Sequence, residues 1–261
     1  MSESFISSVK NELIKSMRRL KDRSARRESG LHLIEGERLV FDALSCGIKP
    51  ETILIEEGKT KLQTAVSDFG LPFISVTRSV LEVVSDTQSP QGIVASVRTP
   101  HPTLPLEPVG LYVALDRLQD PGNMGTIIRT ADAMGASGII LGSGCTDPFS
   151  PKALRAAMGS SYHIPIYETE LTSCIARLKV LDFLPLCGHL NGEERLPELT
   201  GLSRCLIIIG NEANGVSDEV ASLCTLYRLP MYGRAESLNA SVAASILIYE
   251  AASAIYGRHT D

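Results

Sequence analysis

The chain has 261 residues, of which 44% are hydrophobic and 5% aromatic, with no tryptophan and a formal net charge of -5. This length suits one large or two modest domains, and the apolar content is ample for a core. The net charge argues against a protein that coats nucleic acid by bulk charge, and the few aromatic residues give no visible stacking platform for single strands.

Cysteine usage and the N-terminal segment indicate the compartment. The 6 cysteines are scattered and form no C-x-x-C pair, so we interpret them as reduced thiols and expect no metal site. The first residues lack the apolar core of a signal peptide, and no segment reaches membrane-spanning length. We therefore expect a cytoplasmic protein without a membrane partner.

The chain begins with apolar residues at three- and four-residue spacing, at Ile6, Val9, Leu13, Met17 and Leu20, which predicts an amphipathic helix. The far end of this helix is basic, although the rest of the chain is acidic. A solvated helix face is the ordinary interpretation of such a charge run, and a phosphate-binding patch is the functional one. The candidate phosphate-binding side chains are Arg18, Arg19, Arg23, Arg26 and Arg27.

Strands and helices then alternate as far as residue 97, which predicts a small N-terminal α/β sandwich. Four prolines follow within 98–108, and such a stiff segment is typical of a linker. We place one domain at 1–100, a proline-rich linker at 101–108 and a second domain at 109–261. In the first domain we predict further helices at 37–46, 59–69 and 79–85, and strands at 52–55, 72–76 and 92–97.

The second half repeats the alternation and predicts a parallel sheet wrapped by helices. Its closing helix begins at Ser237 or Asn239, because both residue types are good N-caps. Its other predicted elements are strands at 111–115, 138–141, 164–167, 183–187, 205–209 and 225–229, and helices at 124–134, 150–158, 171–180 and near 217.

Several familiar catalytic and cofactor motifs are absent from the sequence. The glycines of 142–147 follow a predicted strand but lack the third glycine of a dinucleotide-binding loop. The sequence contains no phosphate-binding P-loop, no nucleophile elbow and no zinc-protease motif. The chemistry must therefore come from other groups.

Polar residues gather in three clusters, each directly after a predicted strand. The first holds Asp116, Asn123 and Arg129, the second spans 207–217 with Asn211 and Glu212, and the third holds Glu236, Ser237 and Asn239. Any one of them could be ordinary turn and capping chemistry. Three together are harder to explain in that way, because the carboxyl ends of parallel strands meet at the edge of a sheet where ligands bind.

The three clusters resemble, in order, spacing and residue type, the three motifs of the SpoU/TrmH family, RNA ribose 2′-O-methyltransferases of the knotted SPOUT class. The matching segments are NMGTIIRTADAMG at 123–135, IGNEANGV at 209–216 and LPM…ESLNASVA at 229–243. The resemblance covers about 109–261, and the preceding domain resembles the substrate-binding domain of many members. It implies an α/β/α SPOUT domain with a deep C-terminal trefoil knot, an exception to the rule against threaded chains.

The resemblance also implies the cofactor, the partners and the site. S-adenosyl-L-methionine would bind in the knot, and two copies would form a homodimer with catalytic pockets at the subunit interface. The substrate would be structured RNA, with 23S ribosomal RNA as our expectation and tRNA as the alternative, and the basic helix would bind it. The implied catalytic residues are Arg129, Asn123, Glu212, Ser237 and Asn239, and the implied cofactor contacts are Gly210, Leu229 and Leu238, with Met231 and Gly188 beside them.

The roles of the implied catalytic residues follow from their chemistry. A guanidinium is hard to deprotonate, so we expect Arg129 to hold a phosphate and to stabilise developing oxyanion charge. Ser237 and Asn239 would orient the ribose hydroxyl and the cofactor, and Glu212 would fix the geometry of an asparagine or arginine. A non-catalytic RNA-binding module on the same fold, and methylation of another nucleotide position, stay open as alternatives.

Overall fold

A computed structural model describes residues 4–194 and 202–257 of the chain. It divides into two compact units. The first unit takes the described part of Met1–Pro100 together with Phe149–Tyr162, and the second takes the described parts of His101–Pro148 and His163–Asp261. The structure differs from the domain bounds of the sequence analysis at Phe149–Tyr162, which joins the first unit rather than the domain at 109–261.

The described residues form strands and helices in regular alternation. The strands are β1 Ser4–Ile6, β2 Leu31–Glu35, β3 Pro50–Glu56, β4 Ile74–Val76, β5 Ile93–Arg98, β6 Gly110–Leu115, β7 Gly138–Leu141, β8 Ile166–Glu168, β9 Leu184–Glu193, β10 Arg204–Ile209 and β11 Thr225–Tyr227. The helices are α1 Glu12–Arg19, α2 Arg23–Ser29, α3 Glu37–Ser45, α4 Thr60–Asp68, α5 Arg78–Val84, α6 Pro121–Ala133, α7 Pro151–Ala157, α8 Leu171–Val180, α9 Asp218–Ala221 and α10 Ala240–Tyr256, with a short 3-10 helix at Ser160–Tyr162.

The first unit contains a mixed sheet in the order β1-β4-β3-β5-β2, in which β5 is antiparallel to both of its neighbours. The predicted helix starting at Ile6 is wrong over its first part. Ile6 pairs with Val76 in β1, Val9 is exposed, and α1 begins only at Glu12, where the Asn11 side chain accepts a hydrogen bond from the Leu13 amide. The hydrophobic spacing continues across a strand and a turn, so spacing alone could not separate them.

Phe149–Tyr162 joins the first unit through His32, which is fully buried in β2. The His32 ring nitrogens lie 2.9 Å from Thr99 Oγ1 and 2.6 Å from Tyr162 Oη, and the ring centroid is 4.8 Å from that of Phe149. Burying a polar ring is favourable here because both nitrogens have partners. The sequence analysis predicted neither β2 nor this use of His32.

The second unit contains a fully parallel sheet in the order β11-β9-β10-β6-β7-β8, which confirms the predicted parallel α/β architecture. Strand β10 lies inside this sheet, and Leu206, Ile207 and Ile208 are completely buried, each contributing about 1.5–3 kcal/mol. Because β6 and β10 are adjacent and parallel, the segments that follow them meet at one edge. The trefoil knot stays a prediction, since strand order alone does not define a knot.

Candidate active site

The first cluster is positioned by the start of α6. Asp120 is its N-cap, and Asp120 Oδ1 accepts a hydrogen bond from the Asn123 amide at 2.9 Å, with Pro121 in the first turn. The helix therefore begins three residues before its predicted start at residue 124. This places Asn123 in the first turn, where its side chain is 9% exposed.

The second cluster reaches the first through the carboxylate of Glu212. Glu212 Oε1 accepts hydrogen bonds from the Asp120 amide at 2.9 Å and from Asn123 Nδ2 at 3.0 Å, and Oε2 accepts from the Gln119 amide at 3.1 Å. Burial alone would raise the pKa of Glu212, but these donors together hold it below its ordinary value of 4.5. Glu212 is therefore a hydrogen-bond acceptor at neutral pH and not an acid.

The third cluster joins the same chain of hydrogen bonds through Asn239. Its Nδ2 donates to Asn123 Oδ1 at 3.0 Å, and its Oδ1 accepts from the Ser241 amide at 2.8 Å as the N-cap of α10. The amide orientations agree, because a carboxylate only accepts, so Asn123 must turn its nitrogen to Glu212 and its oxygen to Asn239. The chain Glu212–Asn123–Asn239, hereafter the asparagine bridge, links all three clusters.

Arg129 and Ser237 do not take part in the asparagine bridge. Both side chains are exposed, and neither makes a hydrogen bond or ion pair with the residues that the structure describes. Arg129 lies six residues after Asn123 on α6, which is about 9 Å along the helix axis and about 120° around it. The structure therefore brings together three of the five implied catalytic residues and leaves two outside the asparagine bridge.

Two glycines of the implied cofactor site permit close approach of other chain segments. Gly210 is buried after β10, and a Cβ atom there would lie 2.2 Å from the backbone of Gly215 and Val216, so no other residue fits. Gly188 lies in β9, where an added Cβ atom would be 3.1 Å from Leu247 Cδ1. Both positions hold the backbone near neighbouring elements without an intervening side chain.

The segment 229–238 carries the other implied cofactor contacts. Leu229 and Met231 are half-buried, and Leu238 is exposed. Within the described ranges, no backbone–backbone hydrogen bond involves residues 229–238. Its amides and carbonyls are therefore available to a ligand, which fits a cofactor held mainly by backbone groups.

The arginines of α1 and α2 include exposed side chains and one buried side chain. Arg18, Arg23 and Arg27 are exposed on α1 and α2, as is Arg19, which lies 3.5 Å from Glu28. Arg26 is only 6% exposed, and its Nη1 donates to the carbonyl oxygens of Leu20 and Lys21 at 2.9 and 2.7 Å. We therefore remove Arg26 from the phosphate-binding set, because its guanidinium is used to join α1 to α2.

Two further polar residues belong to the predicted clusters, although neither of them was predicted to have a role of its own. Asn211 Nδ2 donates to the carbonyl oxygen of Arg117 at 2.9 Å, and the buried Asp116 accepts from the Ser217 amide at 2.7 Å. Their place directly after buried strands was the available signal, but only the structure shows their partners. Among the described residues there is no group of three or more His, Cys, Asp or Glu side chains arranged for a metal ion, and no helix long and apolar enough to cross a membrane.

Comparison with known proteins identifies the family. Residues 110–249 match the SpoU rRNA Methylase family, and residues 11–95 match the MRM3-like substrate binding domain. The chain therefore belongs to the SpoU rRNA methylase family.

Individual relatives match over nearly the whole chain. The 23S rRNA (guanosine(2553)-2'-O)-methyltransferase RlmP of Bacillus subtilis is 36% identical over 246 residues, covering 94% of this chain and 97% of that protein. The crystal structure of an rRNA methyltransferase from Sinorhizobium meliloti is 34% identical with a TM-score of 0.85, covering 96% and 98%. The SpoU methyltransferase AviRb from Streptomyces viridochromogenes, in complex with the cofactor AdoMet, is 27% identical with a TM-score of 0.85, covering 95% and 100%.

Proposed function

We propose that this chain transfers a methyl group from S-adenosylmethionine to a ribose 2′-hydroxyl of 23S ribosomal RNA. Membership of the SpoU family makes it an S-adenosylmethionine-dependent RNA methyltransferase. The observation that carries the proposal is the asparagine bridge, which joins the three family motifs at one sheet edge. The 23S target is supported by the name of the Bacillus subtilis relative, which matches 94% of this chain.

In this proposal the asparagine bridge provides rigidity, and Arg129 and Ser237 provide the chemistry. When bound, S-adenosylmethionine supplies an electrophilic methyl group. Arg129 binds the phosphate beside the target ribose and stabilises negative charge that develops on the 2′-oxygen. Ser237 Oγ orients the ribose hydroxyl by a hydrogen bond, and Asn123 and Asn239 hold the start of α6 and α10 in register beneath it. Positioning of this kind can supply much of the reduction of the barrier.

Backbone groups hold the cofactor in this proposal. Gly210, Leu229 and Leu238 contact it, with Met231 and Gly188 as neighbours. The support is twofold: Gly210 admits no side chain, and the amides and carbonyls of 229–238 have no backbone partners within the described ranges. The predicted trefoil knot would bring these segments around one ligand.

The first unit binds RNA phosphates in this proposal. Arg18, Arg19, Arg23 and Arg27 are exposed at one end of α1 and on α2. Each phosphate contact of this kind releases counterions, so RNA affinity should fall steeply with salt concentration. Replacing these four arginines while leaving the buried Arg26 intact should lower the RNA affinity and make it less dependent on salt.

In this proposal the protein lies in the cytoplasm. There a second copy of the chain completes the active site. The support is an apolar stripe on α10, formed by Val242, Ile246 and Tyr249, whose exposed fractions are 47%, 37% and 52%. Residues at this spacing share one helix face, and a contiguous exposed apolar face is typical of an interface. A dimer through this stripe would lie beside Asn239, the N-cap of α10.

Methyl transfer from tritiated S-adenosylmethionine to separated 23S, 16S and transfer RNA tests the function. Label in 23S RNA that survives alkaline hydrolysis as a dinucleotide marks ribose methylation. Label in tRNA would support the tRNA alternative, and label in base-modified mononucleotides would indicate methylation at another position. Binding of RNA without any label would indicate a non-catalytic module.

The role of Arg129 is tested in the same assay. An Arg129→Lys variant is expected to lose about 100-fold in turnover, because lysine cannot bind phosphate with two parallel hydrogen bonds. An Arg38→Lys variant, which changes an exposed arginine on α3, is the matched control and should keep wild-type turnover. Near-normal turnover of Arg129→Lys would exclude the proposed role.

A further inference from the structure

The turn that carries Glu212 is built around the side chain of Asn211. Asn211 Oδ1 accepts hydrogen bonds from the amides of Ala213 and Asn214 at 3.0 and 3.1 Å. The Asn211 backbone also exchanges two hydrogen bonds with Gly215, at 2.8 and 2.9 Å, which closes the turn. The acceptor side of the Asn211 amide therefore shapes the turn from within.

The donor side of the same amide reaches a distant segment. Asn211 Nδ2 donates at 2.9 Å to the carbonyl oxygen of Arg117, 94 residues earlier in the chain. Gln119 Nε2 donates to the same carbonyl at 3.2 Å and to the Gly144 carbonyl at 2.6 Å. Arg117 has φ 55°, a left-handed conformation that residues with a Cβ atom rarely adopt. Two side-chain amides thus donate to the carbonyl of a residue in this conformation.

The far end of the Glu212 turn is fastened separately. The Ser217 amide donates to Asp116 Oδ2 at 2.7 Å, and Asp116 is buried. Along the chain, Glu212 lies between these two attachments. Its own hydrogen bonds run from the turn to Gln119, Asp120 and Asn123. Beyond the end of the β6–β10 pairing, the bonds from Asn211 and to Asp116 therefore fasten both ends of the turn that carries Glu212.

We propose that Asn211 is a positioning residue of this active site. Its Nδ2 donor fixes the turn of Glu212 against the segment that begins α6, and so orients Asn123 and, through it, Asn239. The Asn211 side chain bonds to Arg117, Ala213 and Asn214, and we assign its effect on catalysis to the asparagine bridge. The inference rests on the proposed methyl transfer, since it assigns a further residue to the same site.

An Asn211→Asp variant separates the two sides of the amide. The aspartate keeps the acceptor for Ala213 and Asn214 but presents an oxygen to the Arg117 carbonyl in place of the donor. We expect kcat for methyl transfer to fall about 10- to 100-fold, because small misplacements of catalytic groups have effects of that size. The KM for RNA and the calorimetric Kd for S-adenosylmethionine should stay within about 3-fold of wild type, since the inference concerns positioning for catalysis and not uniform binding.

The control is Asn214→Ala, which removes a side-chain donor to Asn211 Oδ1 at 3.3 Å, keeps the bond from Asn211 Nδ2 to Arg117 and should leave kcat unchanged. A merely structural role for Asn211 would lower Tm and leave kcat at low temperature unchanged, and that result would overturn the inference. Equal kcat for Asn211→Asp and wild type would also overturn the inference.

If the aspartate variant does not fold, Asn211→Ala decides by the same criteria, because it removes the donor without placing a charge there. Absence of methyl transfer by the wild type would instead refute the proposed function.

Discussion

Asn123 is the residue on which the site geometry depends most. It donates to Glu212 and accepts from Asn239, both at 3.0 Å, so it is the point where two motif segments meet the third. Its side chain is 9% exposed, and loss of either bond would leave a polar partner less well satisfied.

An Asn123→Asp variant should remove the hydrogen bond to Glu212 with little change in the size of the side chain. The new carboxylate cannot donate to Glu212 and would face it as a like charge. We expect the free energy of unfolding to fall by about 1–3 kcal/mol and methyl transfer to fall about 100-fold at neutral pH. Urea denaturation and the tritium assay measure the two effects, and wild-type values in both would show that the bond to Glu212 does not matter.

The lowered pKa of Glu212 predicts how stability depends on pH. A carboxylate with a depressed pKa in the folded state stabilises the protein above its unfolded value, and the contribution is lost as pH falls through the folded value. The difference in unfolding free energy between wild type and Glu212→Gln should therefore be constant at neutral pH. It should shrink as pH falls below 4.5, the ordinary value.

Denaturant titrations at several pH values measure this difference. The control is Glu168→Gln, which neutralises an exposed carboxylate at the end of β8. A Glu212→Gln difference that grows on acidification would contradict the origin that we give to the pKa shift.

At the residue scale, the sequence singled out five candidate catalytic residues, of which three bond to one another while Arg129 and Ser237 lie outside the asparagine bridge. Asn123, Glu212 and Asn239 follow strands of one parallel sheet, and that placement was enough to expect proximity. Asn211 and Asp116 lie in the same predicted clusters but had no individual role, because residues of these types also fit ordinary turns. Arg26 was grouped with surface arginines because charge in a sequence does not reveal burial.

At the scale of elements, Asn239 has two functions that one substitution can separate. Its Oδ1 caps α10, and its Nδ2 donates to Asn123. An Asn239→Asp variant keeps a good capping oxygen at the positive end of the helix and loses the donor.

We expect Asn239→Asp to lose methyl transfer and about 1 kcal/mol of stability with the bond to Asn123, whereas Asn239→Ala should lose about 1 kcal/mol more with the cap. Thermal melts and the tritium assay distinguish these results. Equal loss of stability in both variants would show that the cap does not explain the role of Asn239.

Helices and strands were predictable where one element had its own hydrophobic pattern. Helix α8 matches its predicted bounds of 171–180, and β10 extends its prediction by a single residue. The N-terminal segment was wrong because β1, a turn and α1 together mimic helical spacing. Strand β2 was missed because its inward-facing His32 interrupts the apolar pattern, and only its buried hydroxyl partners make that position favourable.

At the scale of the whole molecule, the apolar stripe on α10 predicts self-association. Replacing Ile246 with Glu would put a charge in the middle of the proposed dimer interface, where an unpaired buried charge is strongly unfavourable. We expect the Ile246→Glu protein to be a folded monomer by light scattering, with methyl transfer reduced if the site needs both copies.

Val180→Glu is the matched control, since Val180 is 83% exposed at the end of α8 and lies outside the stripe. It should leave the mass of the assembly unchanged. An Ile246→Glu protein that keeps a dimer mass would exclude the stripe as the interface.

The central claim is that the three motif segments form one site for ribose methylation. The most direct measurement is incubation of 23S ribosomal RNA with the protein and tritiated S-adenosylmethionine, followed by alkaline hydrolysis and separation of the products. We expect label in alkali-resistant dinucleotides with the wild-type protein and its loss with Asn123→Asp. Label confined to mononucleotides, or undiminished label with Asn123→Asp, would contradict the central claim.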